Sequence, residues 1–346
     1  MRIFWIGKAA ADGLAGDEIF DRKTIAALRR QGHMVTALHP SRVSRLRETV
    51  NLLAGLPHYR SRFASSRNSA LVHAAGASFD LSICSWEPLD ILAGVMPAPR
   101  VLIAHNITSL ALPSMFPASR LAHLAARRAA AWECRTYTRE HLASIAVLSR
   151  ADRDYVASLP DAPPVLLTVP GMPPRVAPAD SAGFLPELVV SGTFDWRPKR
   201  RDAIQFLQEY STVNDRLPLF GDALPDAAAY GIAIGPPPDD AACSQAIRLG
   251  LITDRFTAGH KLKTLAYIAR NQIVLSFSDV SRDFEDIPDS RFFLRQLHGV
   301  SGIMAIAREF QQQPAPELLA RFLRFQQRCA ETFSWDDVAA RLAACV

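Results

Sequence analysis

The sequence predicts an α/β fold built as two Rossmann-like domains in tandem. Short apolar runs alternate with helical segments along almost the whole chain, the pattern of parallel strands covered on both faces. Between Pro160 and Pro186 that alternation gives way to a stretch rich in proline, glycine and alanine, and then restarts. The length, 346 residues, is long for one core and comfortable for two. Folds of this class bind ligands beyond the carboxyl ends of their strands, in a cleft.

Residues 2–7 read as the first strand and 18–31 as a helix with Ile19, Ile25, Ala26 and Leu28 on one side. Gly32 suits the left-handed position just past its end. Strands are expected at 33–38, 81–85, 101–105 and 145–149, with 165–169 as the last before the hinge. Beyond it come a strand at 188–191, a helix at 202–210 and a weaker strand at 217–221. Residues 230–234 lead into a turn at 235–239, followed by a helix at 241–248 and a strand at 249–253. A helix at 260–269 and a strand at 272–277 complete the alternation. The tail from 317 is helical and broken near Thr332–Trp335, where Ser334 can cap a last helix at 336–344. The expected division is a first domain at 1–170, a hinge at 171–187, a second domain at 188–325 and a closing helix at 326–346 that packs back toward the first domain.

A content of 49% hydrophobic and 21% charged residues is that of an ordinary globular protein, and no apolar run approaches the roughly 20 residues a bilayer crossing needs. The chain opens on a strand rather than a signal peptide, so cytoplasmic residence is expected. Cys84, Cys134, Cys243, Cys329 and Cys345 are scattered and never spaced for zinc or a disulfide framework. The net charge of +5 is uneven: residues 1–150 hold 19 basic against 10 acidic side chains. Arg42, Arg45, Arg47, Arg60, Arg62 and Arg67 are interleaved there with Leu52, Leu53, Leu56, Tyr59 and Phe63. Such a segment is either a solvated face or one that rests on an anionic membrane surface or acceptor, which would put the protein at the inner membrane face. No nucleic-acid motif accompanies the basic residues.

Two stretches of the second half crowd cations at a helix start, where the backbone already carries partial positive charge. One is Arg197-Pro198-Lys199-Arg200-Arg201 after Gly192; the other is Gly259-His260-Lys261-Leu262-Lys263. An anion such as a diphosphate would reverse the sign of that cost at both places.

These stretches carry a resemblance. Residues 192–199, Gly-Thr-Phe-Asp-Trp-Arg-Pro-Lys, look like the start of the C-terminal domain of GT-B glycosyltransferases, in particular family 4 and its bacterial polysaccharide-assembly branches. Residues 259–269 look like that family's donor-binding helix, and 333–338 like the start of its closing helix. His105-Asn106, Trp132-Glu133 and residues 147–152 follow in the expected order. The resemblance implies the GT-B fold, two domains facing a central cleft, with a nucleotide diphosphate sugar on the second domain and a glycan or lipid-linked acceptor on the first. It implies neither metal nor cofactor. The family's ribose-binding glutamate on the donor helix is Ala266 here, and the upstream partner glutamate is Ala258.

Lys261 is the leading candidate for diphosphate contact, with Gly259 and His260 beside it and Gly192, Lys199 and Arg200 from the other stretch. Lys263 points to another face of the helix, where solvent is the alternative. Gly13 and Gly16 lie in the loop after the first strand, where backbone can approach a phosphate or sugar. His105, after a strand end, is the candidate acceptor-side base, with Asp17 and Glu18 as further candidates. Glu133, inside a helix, reads as structural, and Asp283-Phe284-Glu285-Asp286 as a solvated acidic loop. The function expected is metal-independent sugar transfer; the alternative is a catalytically degenerate GT-B-like protein that binds carbohydrate or an assembly partner.

Overall fold

A computed structural model describes residues 1–8, 15–75, 78–97 and 99–345. The chain divides into two compact units: Met1–Gly171 with Ala258–His260 and Ser334–Val346, and Met172–Thr257 with Lys261–Phe333.

The first unit runs β1 (Arg2–Ile6), α1 (Gly16–Arg30), β2 (Met34–Leu38), α2 (Arg45–Leu53), α3 (Ser66–Ala74), β3 (Leu81–Ser85), β4 (Arg100–Ala104), α4 (Thr108–Met115), α5 (Arg120–Thr136), β5 (Ser144–Val147), α6 (Arg150–Ala157) and β6 (Val165–Leu167). Its strands form one parallel sheet in the order β2-β1-β3-β4-β5-β6. The chain steps outward from β1 to β2 and returns to β3 on the other side, so the direction of winding switches between β1 and β3. In such sheets that switch opens a crevice at the carboxyl ends of the two strands. Alternation along each strand sends Phe4, Ile6, Leu102 and Ala104 to one core and Ile3, Trp5, Val101 and Ile103 to the other. Both faces are buried, which is why the strands read as unbroken apolar runs.

The second unit runs β7 (Gly183–Val190), α7 (Arg197–Ser211), β8 (Leu219–Gly221), β9 (Ile234–Gly235), α8 (Asp240–Gln245), β10 (Ala246–Ile252), α9 (Leu262–Ala269), β11 (Gln272–Ser276), α10 (Ser290–Phe293), β12 (Leu294–Gln296), α11 (Ser301–Gln311) and α12 (Ala315–Thr332). Its sheet is also parallel, ordered β12-β11-β10-β7-β8-β9, with the switch between β7 and β10. The last helix, α13 (Trp335–Ala343), belongs to the first unit. Ser334 caps it, and its Val338, Ala339 and Leu342 join Phe20 and Leu28 of α1 in one core.

Four differences from the sequence pattern have physical reasons. β10 begins at Ala246, inside the expected helix at 241–248. Arg248 can sit in this central strand because its guanidinium is taken up by Glu187 at 2.7 Å and the Ala242 carbonyl at 2.7 Å. α7 begins at Arg197 rather than 202, since Pro198 fits a first helical turn. α9 begins at Leu262 rather than 260, because Gly259 is left-handed at φ +55 and Lys261 is extended. Finally, Arg60 is no surface residue: it is fully buried and paired with Asp90 at 2.6 Å, while Arg62 and Arg42 hold Glu48 at 3.1 Å each.

Candidate functional site

The crevice end of the first sheet collects polar side chains. β1 runs into Gly7 and Lys8, β3 ends at Ser85, and β4 delivers His105. Asp21, one turn beyond Asp17 on α1, is buried against all three strands' ends. Ser85 Oγ donates to Asp21 Oδ1 and lies 3.0 Å from His105 Nε2. The Lys8 N–H donates to Asp21 Oδ2 at 3.2 Å. Gly7 is required there, since a Cβ would stand 2.2 Å from Asp21 Oδ2. Burial pushes Asp21 up to about 7 and His105 down to about 4. Glu87, which accepts the Asn106 N–H at 3.4 Å, is pushed up to about 8 by the same cause.

Trp86, between Ser85 and Glu87, has φ 91. A bulky side chain there costs on the order of 1–3 kcal/mol, and such strain gathers at functional sites. Asp17 pairs with Lys8 at 2.9 Å, and Glu18 accepts the Ala15 N–H at 3.2 Å, closing the start of α1. Gly16 is the first residue of that helix, and Gly13 lies outside the described residues. Gly259, counted with this unit, has no room for a side chain: a Cβ would come within 2.1 Å of the His105 carbonyl oxygen. Glu133 accepts from Ser109 N at 3.2 Å and from the Ser109 and Tyr155 hydroxyls, so it caps α4 from the neighbouring helix.

The buried acids make the first unit sensitive to base. Asp21 and Glu87 have folded-state pKa values raised above their unfolded ones, so the native state holds protons that the unfolded chain has released. The stability they contribute is full below about pH 4 and is lost as pH rises through 7 to 8. His105 opposes this only below about pH 6.5, where the unfolded ring gains a proton that the buried ring refuses. Lys263, pushed down to about 8, works the other way over this range, because the folded protein releases a proton that the unfolded chain keeps. Denaturant unfolding should therefore show a stability lower by about 1–2 kcal/mol at pH 9 than at pH 6.5. A flat or rising trend would contradict the burial of Asp21 and Glu87.

In the second unit the crevice lies beyond β7 and β10, where Gly192 and Asp254 follow the strand ends. Lys261 Nζ pairs with Asp254 Oδ2 at 3.2 Å and stands 3.9 Å from the centre of the Phe256 ring. Lys199 and Lys263 act on the same carboxylate electrostatically, and Asp202 and Asp222 act in turn on Lys261 and Lys263. Lys263 is not turned to solvent as the helix periodicity suggested. Its Nζ is buried with no hydrogen-bond partner, 5.1 Å from the Phe194 ring centre and against Gly192, where a Cβ would lie 2.4 Å from it. Burial, with Lys199 and Lys261 nearby, pushes Lys263 down to about 8. Asp254 is held below the usual carboxylate range, because the lysines outweigh its burial.

Asp254 Oδ1, Thr253 Oγ1 and Thr264 Oγ1 are also buried without partners, a concentration that is unusual in a native fold. Backbone supports the same spot: Gly192 N–H donates to Asp222 at 2.6 Å, and Ser191 N–H to the Tyr267 hydroxyl at 2.8 Å. Six of the thirteen α-helices among the described residues start on a capping side chain, Ser44, Ser65, Ser119, Ser149, Asp239 and Ser334. α7 and α9 start on Trp196 and Lys261 without one. α1, α4, α10, α11 and α12 also start without a capping side chain, so the cations rather than the missing cap set α9 apart.

The other basic residues are placed differently. Arg201 is bonded to Asp202 at 2.7 Å, and exposed Arg200 lies 3.7 Å from Asp226. His260 belongs to the short segment grouped with the first unit. Ala266 is partly exposed on α9 and brings no polar group. The Arg282–Phe284 turn of the acidic stretch is anchored by Phe284, which packs edge-on to Phe333 at 4.9 Å.

Asp21, Ser85 and Asp254 escaped the sequence reading. Each follows or faces the end of a strand that the sequence does show, and position beyond a parallel strand's carboxyl end was the available signal.

No protein-family model and no curated protein sequence matches the chain. Among solved structures it is similar, over 99% of its length and 98% of theirs, to several proteins that include the following three. WaaG, a glycosyltransferase involved in lipopolysaccharide biosynthesis, has TM-score 0.62 at 14% identity. A trehalose-6-phosphate structure from E. coli bound with UDP-2-fluoro glucose has TM-score 0.56 at 11% identity. The spinosyn forosaminyltransferase SpnP has TM-score 0.52 at 16% identity. At these identities the likeness speaks for architecture, and it agrees with the two parallel six-stranded sheets and their switch points: the chain has the GT-B fold.

Proposed function

We propose that the chain is a glycosyltransferase that moves a sugar from a nucleotide diphosphate sugar to a glycan or lipid-linked acceptor without a metal ion. The observation that carries this reading is the convergence of Lys199, Lys261 and Lys263 on Asp254, with Lys263 Nζ buried and unpartnered beside Gly192. Lys261 is ion-paired with Asp254, and Asp202 and Asp222 act on Lys261 and Lys263 through space, while three ammonium groups stay gathered at a helix start, a field suited to a diphosphate. In transfer, the leaving diphosphate gains charge as the sugar bond breaks, and lysines already fixed in place stabilise it without reorganisation. Solved structures of the same fold include one bound with UDP-2-fluoro glucose, so UDP-sugars are the donors to test first.

On the acceptor side His105 is the proposed base. It is neutral at pH 7 and able to accept a proton from a sugar hydroxyl. Titration calorimetry with UDP, followed by transfer and hydrolysis assays over a panel of nucleotide sugars, tests the reading. Binding with turnover supports it. Binding without turnover would favour the degenerate binding protein, and no binding of any nucleotide diphosphate would overturn the donor site.

The lipid-linked acceptor is favoured by α2, which is packed inside out. It buries Glu48 and Asn51, satisfied by Arg42 and Arg62 and by the Ser61 and Ala64 carbonyls, and turns Leu46, Val50 and Leu53 outward. Leu121 and Leu124 of α5 are exposed as well, and Leu121 and Leu52 line one shallow groove of about 170 Å³. Exposed Arg45, Arg47, Arg120 and Arg128 accompany these leucines. Apolar side chains flanked by arginines suit the headgroup region of an anionic bilayer. Among the described residues no helix is long and apolar enough to cross a membrane, so attachment would be peripheral, and we place it at the cytoplasmic face. Co-sedimentation should show binding to vesicles containing phosphatidylglycerol, and little to pure phosphatidylcholine. Leu53→Ser with Leu121→Ser should lower that binding about tenfold or more, at about 0.8 kcal/mol per buried methylene. Equal binding by the double variant would remove α2 and α5 from the contact.

A further inference from the structure

We propose that Asp21, Ser85 and His105 form a proton relay through a single serine, which makes Asp21 the final holder of the proton that His105 accepts. This rests on reading His105 as the acceptor-side base and names where its proton goes.

The hydrogen-bond inventory fixes the two end states. A serine hydroxyl has one hydrogen and can accept through its lone pairs. Ser85 Oγ bridges Asp21 Oδ1 and His105 Nε2, the latter at 3.0 Å. When Asp21 is ionised it only accepts, so the one serine hydrogen goes to it and Ser85 must accept from Nε2–H. His105 is then the Nε2–H tautomer with its lone pair at Nδ1. When Asp21 is protonated, the proton settles on Oδ1, because Oδ2 already accepts the Lys8 N–H at 3.2 Å. Oδ1–H then donates to Ser85, Ser85 donates to Nε2, and the ring carries its hydrogen at Nδ1.

The step between them balances. A proton arrives at Nδ1 and forms an N–H bond, while the Nε2–H bond breaks and its proton passes to Ser85 Oγ. The original Ser85 hydrogen passes to Asp21 Oδ1. The ring is neutral before and after, and the only net charge change is that of Asp21, from −1 to 0.

The surroundings favour this route over a charged ring. His105 is buried with the Phe20 ring edge-on at 5.0 Å, and burial holds its imidazolium off to about pH 4. Burial instead raises Asp21 to about 7, so a proton is more stable on the acid than on the ring. Among the described residues, charges on two side chains of the β1–α1 region act on them. Asp17 favours protonation of both, Lys8 disfavours a charge on His105, and the two pair with each other at 2.9 Å. The Trp5 indole works against protonation of Asp21 from β1. From α13 the uncharged Trp335 packs on Phe20 at 5.7 Å, and Asp336 is engaged with Arg30 at 2.7 Å.

Long-range proton–nitrogen correlation spectra of the ¹⁵N-histidine protein test the relay, since they separate the two tautomers from the imidazolium. The His105 signals are assigned by comparison with His105→Asn. The expected result is Nε2–H at pH 9 and Nδ1–H at pH 5.5, with a midpoint near 7 and no imidazolium between. In Ser85→Ala the tautomer should stop responding to pH, and in the isosteric Asp21→Asn likewise. A single tautomer throughout, an imidazolium forming near pH 6.5, or an exchange that survives in Ser85→Ala would each overturn the relay. The wild-type titration decides the matter even if a variant fails to fold. Unchanged turnover in His105→Ala would instead defeat the base assignment, and leaves the ring exchange measurable on the protein alone.

Discussion

Lys263→Ala is expected to weaken UDP binding and nucleotide-sugar turnover about 10²–10³-fold, the usual loss for one preorganised donor to developing charge. The same substitution should leave thermal stability unchanged or slightly higher. Lys263 contributes a buried ammonium with no hydrogen-bond partner, and it repels Lys199 and Lys261. Removing it therefore relieves a cost in the free protein and removes a gain only when an anion is bound. Lys261→Ala should behave in the opposite way on stability. It strips the direct partner from Asp254, a buried carboxylate, and such losses cost about 3–5 kcal/mol. Thermal unfolding and UDP calorimetry on the two variants separate the roles. Wild-type UDP affinity in Lys263→Ala, or equal destabilisation by both changes, would remove the second-unit crevice as the donor site. Because Lys263 is pushed down to about 8, its charge fades above that pH, and donor affinity should fall with it.

The second large effect concerns His105. Its replacement by alanine should lower kcat by about 10²–10⁴, the range for a lost general base, with donor affinity changed less than about twofold. The separation follows from placement: His105 sits in the first unit, bonded to Ser85, and the lysines sit in the second. A kcat within threefold of wild type would leave His105 as a buried structural residue. A joint loss of donor affinity and kcat would place it in the donor site instead.

Much of the architecture is legible in the sequence because strands buried on both faces leave unbroken apolar runs. The runs around Phe4, Ile83 and Ile103 could hardly be anything else. The start of β10 is not legible for the opposite reason: a charged Arg248 is tolerated in a central strand only because Glu187, 61 residues away, neutralises it. The surface was half legible. Arginines and leucines could be counted between 42 and 67, but their directions could not. Arg60 turns inward to Asp90, and Leu53 turns outward because Glu48 and Asn51 find partners inside.

The sequence by itself determined the two α/β units and the excess of cations at the start of α9, since periodicity and helix-start charge are local properties of the chain. Only the tertiary structure decided that Lys261 is spent on Asp254 while Lys263 is the lysine left over, and that Asp21, Ser85 and His105 meet. Pairing depends on which strand ends the sheet order brings together, and β7 with β10, or β1 with β3, are neighbours in space but far apart along the chain.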